Sequence, residues 1–198
     1  MTENLFWTNN LVSQEEREAR LKQKGVTIWL TGLSASGKST VARTLERKLF
    51  DLGYLTFVLD GDNIRQGLSS NLGFSPEDRS ENIRRIAELA NLFSMAGMIN
   101  IAAFISPYRR ERNLARKLAK NGNFVEVYVN TPVEVCMQRD PKGLYQRALK
   151  GEIKNFTGID APYEAPEKPD VVIKTNIESV EECVNKILNY LRDKQFIM

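Results

Sequence analysis

Hydrophobic residues recur along this chain with two alternating periods. Val26–Thr31 is a compact, β-branched run that predicts a buried strand. After a glycine-rich turn, Val41, Leu45, Leu49 and Leu52 recur at helical spacing and predict one apolar helix face. Tyr54–Asp60 reads as a second strand. Ser75-Pro76-Glu77-Asp78 opens a long helix, because proline suits a first turn and acids suit the positive end of the helix dipole. Its core stripe is Ile83, Ile86, Ala90, Phe93 and Gly97. Asn100–Ser106 predicts the third strand, Arg109–Lys120 a helix, Phe124–Asn130 the fourth strand and Asp170–Thr175 the fifth. From Ser179 to about Arg192 a last helix carries Val180, Cys183, Val184, Ile187 and Leu191. Strands alternating with helices predict an α/β fold, a parallel sheet covered on both faces.

Two stretches depart from this rhythm. Residues 1–24 are polar and charged, and Ser13 with Glu16 forms a capping-box pattern for a short helix through Arg20 and Lys24. They read as an N-terminal extension, with the main domain spanning 25–198. Residues 139–169 are rich in charge, glycine and proline, with a short helical pattern at Leu144–Lys150. From Arg139 to Lys154 there are five basic residues against two acids. Such an insertion is either a solvated loop or a lid; the phosphate chemistry described next favours a lid.

Composition removes several chemistries. The 198 residues contain no histidine and two cysteines, which excludes histidine acid–base catalysis, histidine-ligated zinc and a disulfide scaffold. Cys136 and Cys183 fall within apolar helical patterns and read as buried thiols. The net charge of +3 permits anionic ligands without arguing for nucleic acid. Neither a secretory signal nor a membrane-length apolar run is visible, so the expectation is a cytoplasmic protein, or an organellar one without its transit peptide.

The sharpest motif is Gly32-Leu33-Ser34-Ala35-Ser36-Gly37-Lys38-Ser39, followed by Thr40. It matches G-x-x-x-x-G-K-[ST] in full and lies between a predicted strand and helix. Glycines let successive N–H groups turn toward the phosphates of ATP, and the helix terminus adds partial positive charge. Lys38 would bridge the β- and γ-phosphates, and the Ser39 hydroxyl would ligate Mg²⁺. The second strand ends in Asp60-Gly61-Asp62-Asn63, at the sheet edge where ligands gather. By elimination, Asp60 and Asp62 take the metal and base roles, Asp60 through water, although a structural Asp-Gly turn would look alike. Arg65 and Arg79, near strand-end loops, suit an anionic acceptor. Arg84 and Arg85 read better as an exposed helix face.

Longer strings narrow the acceptor. Asp60-Gly-Asp-Asn-Ile-Arg-Gln-Gly-Leu68, Asn71–Arg79, Glu81–Glu88, Phe104-Ile-Ser-Pro-Tyr108, Lys142-Gly-Leu-Tyr145 and Gly151–Asp160 closely resemble the adenylylsulfate (APS) kinase family, from about Gly25 to the last helix. The resemblance implies a P-loop NTPase fold with strand order 2-3-1-4-5, a homodimer, and transfer of the ATP γ-phosphoryl group to the 3′-hydroxyl of adenosine 5′-phosphosulfate in sulfate assimilation. It implies that Phe74 and Phe156 sandwich the acceptor adenine, and that Arg65, Arg79 and Asn82 meet its phosphosulfate region. The Ile105 and Ser106 backbone, Lys142 and the Asn155-Phe156 turn would complete the pocket. Family descriptions make the serine of Phe-Ile-Ser-Pro, Ser106, a phosphoserine intermediate. Phosphoryl chemistry itself favours in-line transfer with Asp62 as base or orienting group and Ser106 binding substrate. Lid closure would bring Lys142, with Arg139 near it, toward the transferring phosphate. Association with ATP sulfurylase stays open. So do a kinase for another nucleotide or small metabolite and, in a different class, a regulatory ATP-binding module.

Overall fold

The computed structural model describes residues 6, 8, 10–119 and 122–198. Five parallel strands form one sheet in the order β2-β3-β1-β4-β5. They are β1 (Val26–Thr31), β2 (Thr56–Asp60), β3 (Ile99–Ala103), β4 (Phe124–Val129) and β5 (Val171–Ile173). The helices are α1 (Gln14–Leu21), α2 (Lys38–Asp51), α3 (Gly61–Gln66), α4 (Pro76–Met95), α5 (Arg109–Leu118), α6 (Val133–Arg139), α7 (Leu144–Leu149) and α8 (Val180–Asp193).

The central strand β1 is buried on both faces, and its alternation assigns the layers. Val26, Ile28 and Leu30 point to the side covered by α2 and α8, where Val41, Leu45, Leu49, Val184 and Ile187 complete the core. Trp29 points to the other side, against Ile83, Ile86 and Ala90 of α4 and Ala115 of α5. Its ring lies between Phe104 and Phe124, with centroids 6.0 and 5.9 Å away. The expected capping box forms at Ser13 with Glu16, and the structure shows a second at Ser179 with Glu182. At the open flank, the Val58 N–H of β2 donates to Glu46 Oε1 of α2 at 3.0 Å.

Several boundaries differ from the sequence expectation. Leu52 is the C-cap of α2 and 52% exposed; Gly53, at φ 90°, turns the chain before Leu52 can join the stripe. Gly97 lies beyond the end of α4 with φ 84° and forms its turn. β3 stops at Ala103, because Ser106 adopts a left-handed φ of 38° and Pro107 has no N–H to continue a ladder. The expected helix end at Lys120 and the first residues of the N-terminal extension lie outside the described residues. Residues 139–169 contain α7 but otherwise consist mainly of turns and irregular chain.

The reciprocal Ser179–Glu182 bonds satisfy two N–H groups at the start of α8. Ser179→Ala should lower the unfolding free energy by ~1 kcal/mol, read as a shifted denaturant midpoint with an unchanged slope.

Candidate active site

The loop between β1 and α2 curls at the carboxyl edge of the sheet, between β3 and β4. Ala35 and Gly37 take positive φ values of 57° and 97°, which lets the loop fold over itself. At Gly32 a side chain is excluded, since a Cβ would lie 2.7 Å from the Val129 carbonyl oxygen. The Lys38 ammonium donates to the carbonyls of Gly32 (2.9 Å) and Leu33 (2.6 Å). Burial pushes its pKa down to about 8. From the far side, Arg139 donates to the Thr175 carbonyl at 2.7 Å, and the Thr175 hydroxyl donates to the Ser36 carbonyl, also at 2.7 Å. Arg139 therefore braces the loop.

The Ser39 hydroxyl donates to Asp60 Oδ2 at 2.7 Å, joining the start of α2 to the end of β2. Asp60 is 5% exposed, and its other oxygen accepts the Asp62 N–H at 3.0 Å, capping α3. One hydroxyl and one carboxylate suit a small hard cation that takes further ligands from phosphate and water, so these residues fit Mg²⁺. Asp62 projects outward and forms an ion pair with Lys142. A residue before α7 thus meets the first turn of α3, 80 positions away in sequence.

Beside this cluster lies a second group. Arg65 bonds to the Gly73 carbonyl at 2.8 Å and stacks over Phe74 at 4.5 Å. Arg79 bonds to the Phe74 carbonyl at 3.0 Å and to the Thr157 hydroxyl at 3.3 Å. These partners are carbonyls and a hydroxyl rather than carboxylates, which leaves positive charge available to an anion. Burial lowers both guanidinium pKa values, and for Arg65 the nearby Arg79 cation adds to the effect. Asn82, one turn beyond Arg79, is 4% exposed, and its carbonyl oxygen has no hydrogen-bond partner among the described residues. Asn155 takes φ 57°, and the Asn155 and Phe156 N–H groups both donate to the Asp160 carboxylate.

Two expectations change. Ser106 is 1% exposed, and its hydroxyl accepts the Trp29 indole N–H at 3.0 Å. That buried, partnered oxygen lacks the access a phosphoserine intermediate needs. The aromatic pair is also not an open cleft. Phe74 is 65% exposed but covered on one face by Arg65, whereas Phe156 is buried edge-on against Tyr145 at 5.0 Å. The structure joins the two segments through Arg79, which bonds to Phe74 and to Thr157 beside Phe156.

Tyr145, Thr157 and Thr175 had no role in the sequence reading. Tyr145 donates to the Ser34 carbonyl at 3.2 Å and packs with Phe156, Leu33 and Ala35. Tyr145 and Thr157 lie inside the strings that carried the family resemblance, which was their only sequence signal. Thr175 had none.

The family model for adenylylsulphate kinase matches residues 24–174. An adenylyl-sulfate kinase of Clostridium acetobutylicum is 55% identical over 194 residues, covering 98% of this chain and 96% of the relative. One from Staphylococcus carnosus is 53% identical, covering 99% and 98%. Among solved structures, the Mycobacterium tuberculosis APS kinase CysC in complex with AMPPNP and APS superposes with a TM-score of 0.82 at 45% identity. That match covers 86% of this chain and 99% of the other. A gluconokinase from Sinorhizobium meliloti, at 18% identity and a TM-score of 0.56, shares the fold alone.

Phosphates placed beside Lys38 would raise its pKa, so above pH 8 the nucleotide-bound state holds more protons than the free one. ATP affinity should therefore fall as pH rises through that region. Calorimetry in buffers of different ionisation heat should find about one proton taken up at pH 9 and little at pH 7. Equal proton counts at both pH values would contradict a buried, partly neutral Lys38.

Proposed function

The chain belongs to the adenylylsulfate kinase family, and from that premise we propose how its residues carry the γ-phosphoryl group of MgATP to the 3′-hydroxyl of adenosine 5′-phosphosulfate. The observation that carries this reading is the continuous path from Ser39 through Asp60 to Asp62 and Lys142. It links the phosphate loop to a carboxylate at the edge where the acceptor group lies.

ATP phosphates occupy the curl of residues 32–40, and Lys38 exchanges its loop carbonyls for phosphate oxygens. Ser39, with Asp60 through water, would hold Mg²⁺, which would supply neutralisation of the phosphate charge. The acceptor 3′-oxygen attacks the γ-phosphorus in line, the bond to the β-phosphate oxygen breaks, and ADP leaves. Asp62 orients the hydroxyl and receives its proton. Lys142, paired with Asp62 in this structure, turns to the transferring phosphoryl group when both substrates are present. Arg65, Arg79 and Asn82 bind the phosphosulfate region, and the Ile105–Ser106 backbone and the Asn155-Phe156 turn border the adenosine. Stacking of the adenine on Phe74 requires Arg65 to leave that face, and Phe156 reaches it as the 139–169 lid rearranges. Lid closure also keeps water from the γ-phosphate.

The surrounding biology follows the same reading: a homodimer acting in the cytoplasm in sulfate assimilation, where ATP sulfurylase is the natural neighbour. No helix among the described residues is long and apolar enough to cross a membrane.

Purified protein should form ADP rapidly with ATP, Mg²⁺ and adenosine 5′-phosphosulfate, and slowly when AMP or shikimate replaces the acceptor. Asp62→Asn should lower kcat by about 100-fold or more, with the KM for ATP little changed. Rapid ADP formation without acceptor would instead favour an ATPase switch. For Ser106, we assign a scaffold role to the side chain. Ser106→Ala should keep kcat/KM within about tenfold of wild type. Phosphate recovered on Ser106 during turnover, together with an inactive but folded Ser106→Ala protein, would restore the relay.

A further inference from the structure

Arg112 of α5 is 2% exposed, yet it is a permanent cation. Its guanidinium donates in three directions: to Glu126 Oε1 of β4 at 2.8 Å, to the Ser106 carbonyl at 2.6 Å and to the Glu164 carbonyl at 2.6 Å. Glu126 is itself 8% exposed and balances the charge. An apolar pair of similar volume would serve stability as well as a buried ion pair, so stability alone gives no reason for a guanidinium here. What an apolar pair lacks is the planar fork, which can hold two carbonyls from distant segments against one carboxylate.

The two carbonyls belong to separate segments, the 105–107 turn that borders the proposed acceptor pocket and the arm of residues 139–169 that returns beside it. Ser106 is held in a left-handed conformation that a residue with a side chain adopts only when its surroundings enforce it. Glu164 lies on the return arm of the lid segment, and its N–H donates to the Pro107 carbonyl at 2.9 Å. One residue earlier, the Tyr163 hydroxyl bonds to the Thr31 hydroxyl at 2.9 Å, which in turn donates to the Ile105 carbonyl at 2.8 Å. The return arm and the 105–107 turn are therefore one hydrogen-bonded unit, and Arg112 bonds to both halves. The phosphate loop is held by other bonds, from Lys38, Ser39 and Thr175.

We propose that Arg112 is a positioning residue for the acceptor nucleotide: it fixes the Ile105–Ser106 backbone that borders the adenosine and ties it to the lid's return arm. This rests on the reading of residues 105–106 as part of the acceptor pocket. A residue acting this way changes acceptor affinity without changing donor affinity, whereas one needed only for folding lowers the amount of active enzyme and leaves both constants alone.

The test uses two variants of the full chain. Arg112→Lys keeps a cation opposite Glu126 but cannot span both carbonyls. The double variant Arg112→Met with Glu126→Met removes both buried charges together, so no unpaired ion remains to unfold the protein. In each, the KM for adenosine 5′-phosphosulfate should rise by about tenfold or more, while the dissociation constant of a non-hydrolysable ATP analogue stays within about twofold. A fall in kcat with both constants unchanged would overturn the proposal, as would equal weakening of donor and acceptor. A double variant that fails to fold would also overturn it, by making the role structural. Wild-type protein that ignored the acceptor would sink the functional reading itself, and this inference with it.

Discussion

Parallel register is the constraint on which the site depends. All five strands run one way, so every strand delivers its carboxyl end to a single edge. With β1 in the middle of the order, the loop after it opens between β3 and β4. The phosphate loop, the Asp60–Asp62 turn after β2 and the 104–108 turn after β3 consequently meet without any long-range design in the chain. The hydrogen bond from Ser39 to Asp60 closes this arrangement across the sheet. It needs only a hydroxyl at the first turn of α2 and a carboxylate at the last residue of β2.

The alternation of buried β1 residues divides the remaining work between two layers. Leu30 and its neighbours anchor α2, which carries the phosphate-binding terminus. Trp29 faces the opposite layer, packs between two phenylalanines and donates its indole proton to Ser106. One strand thus supports the nucleotide loop with one set of side chains and the 104–108 turn with the other. Packing and site geometry are set by the same residues.

Much of this was legible in the sequence because it rests on local rules. Periodicity located every strand to within a few residues, and capping residues located the starts of α1 and α4. The Gly32–Ser39 motif and the carboxylates at the end of β2 stood out by residue type and spacing. The orientation of Ser106 was hidden, because whether a serine faces ligand or core depends on a left-handed backbone angle and a tryptophan 77 positions away. Arg112 was hidden for the same reason: in a helix full of arginines, nothing local marks the one whose partners are Glu126 on β4 and the carbonyls of Ser106 and Glu164. The burial of Phe156 against Tyr145 is likewise a tertiary result that no spacing rule contains.

The bond from Val58 to Glu46 has a consequence for how copies of this chain can meet. An edge strand normally offers its free amides as a template on which another strand can be added, the first step toward open-ended stacking. Here β2 is the terminal strand, and a carboxylate from the preceding helix already occupies one of those amides. At the opposite flank β5 is only three residues long, too short to hold a newcomer in register. Strand addition is therefore hindered at both flanks, which turns association between subunits toward side-chain surfaces rather than backbone ladders.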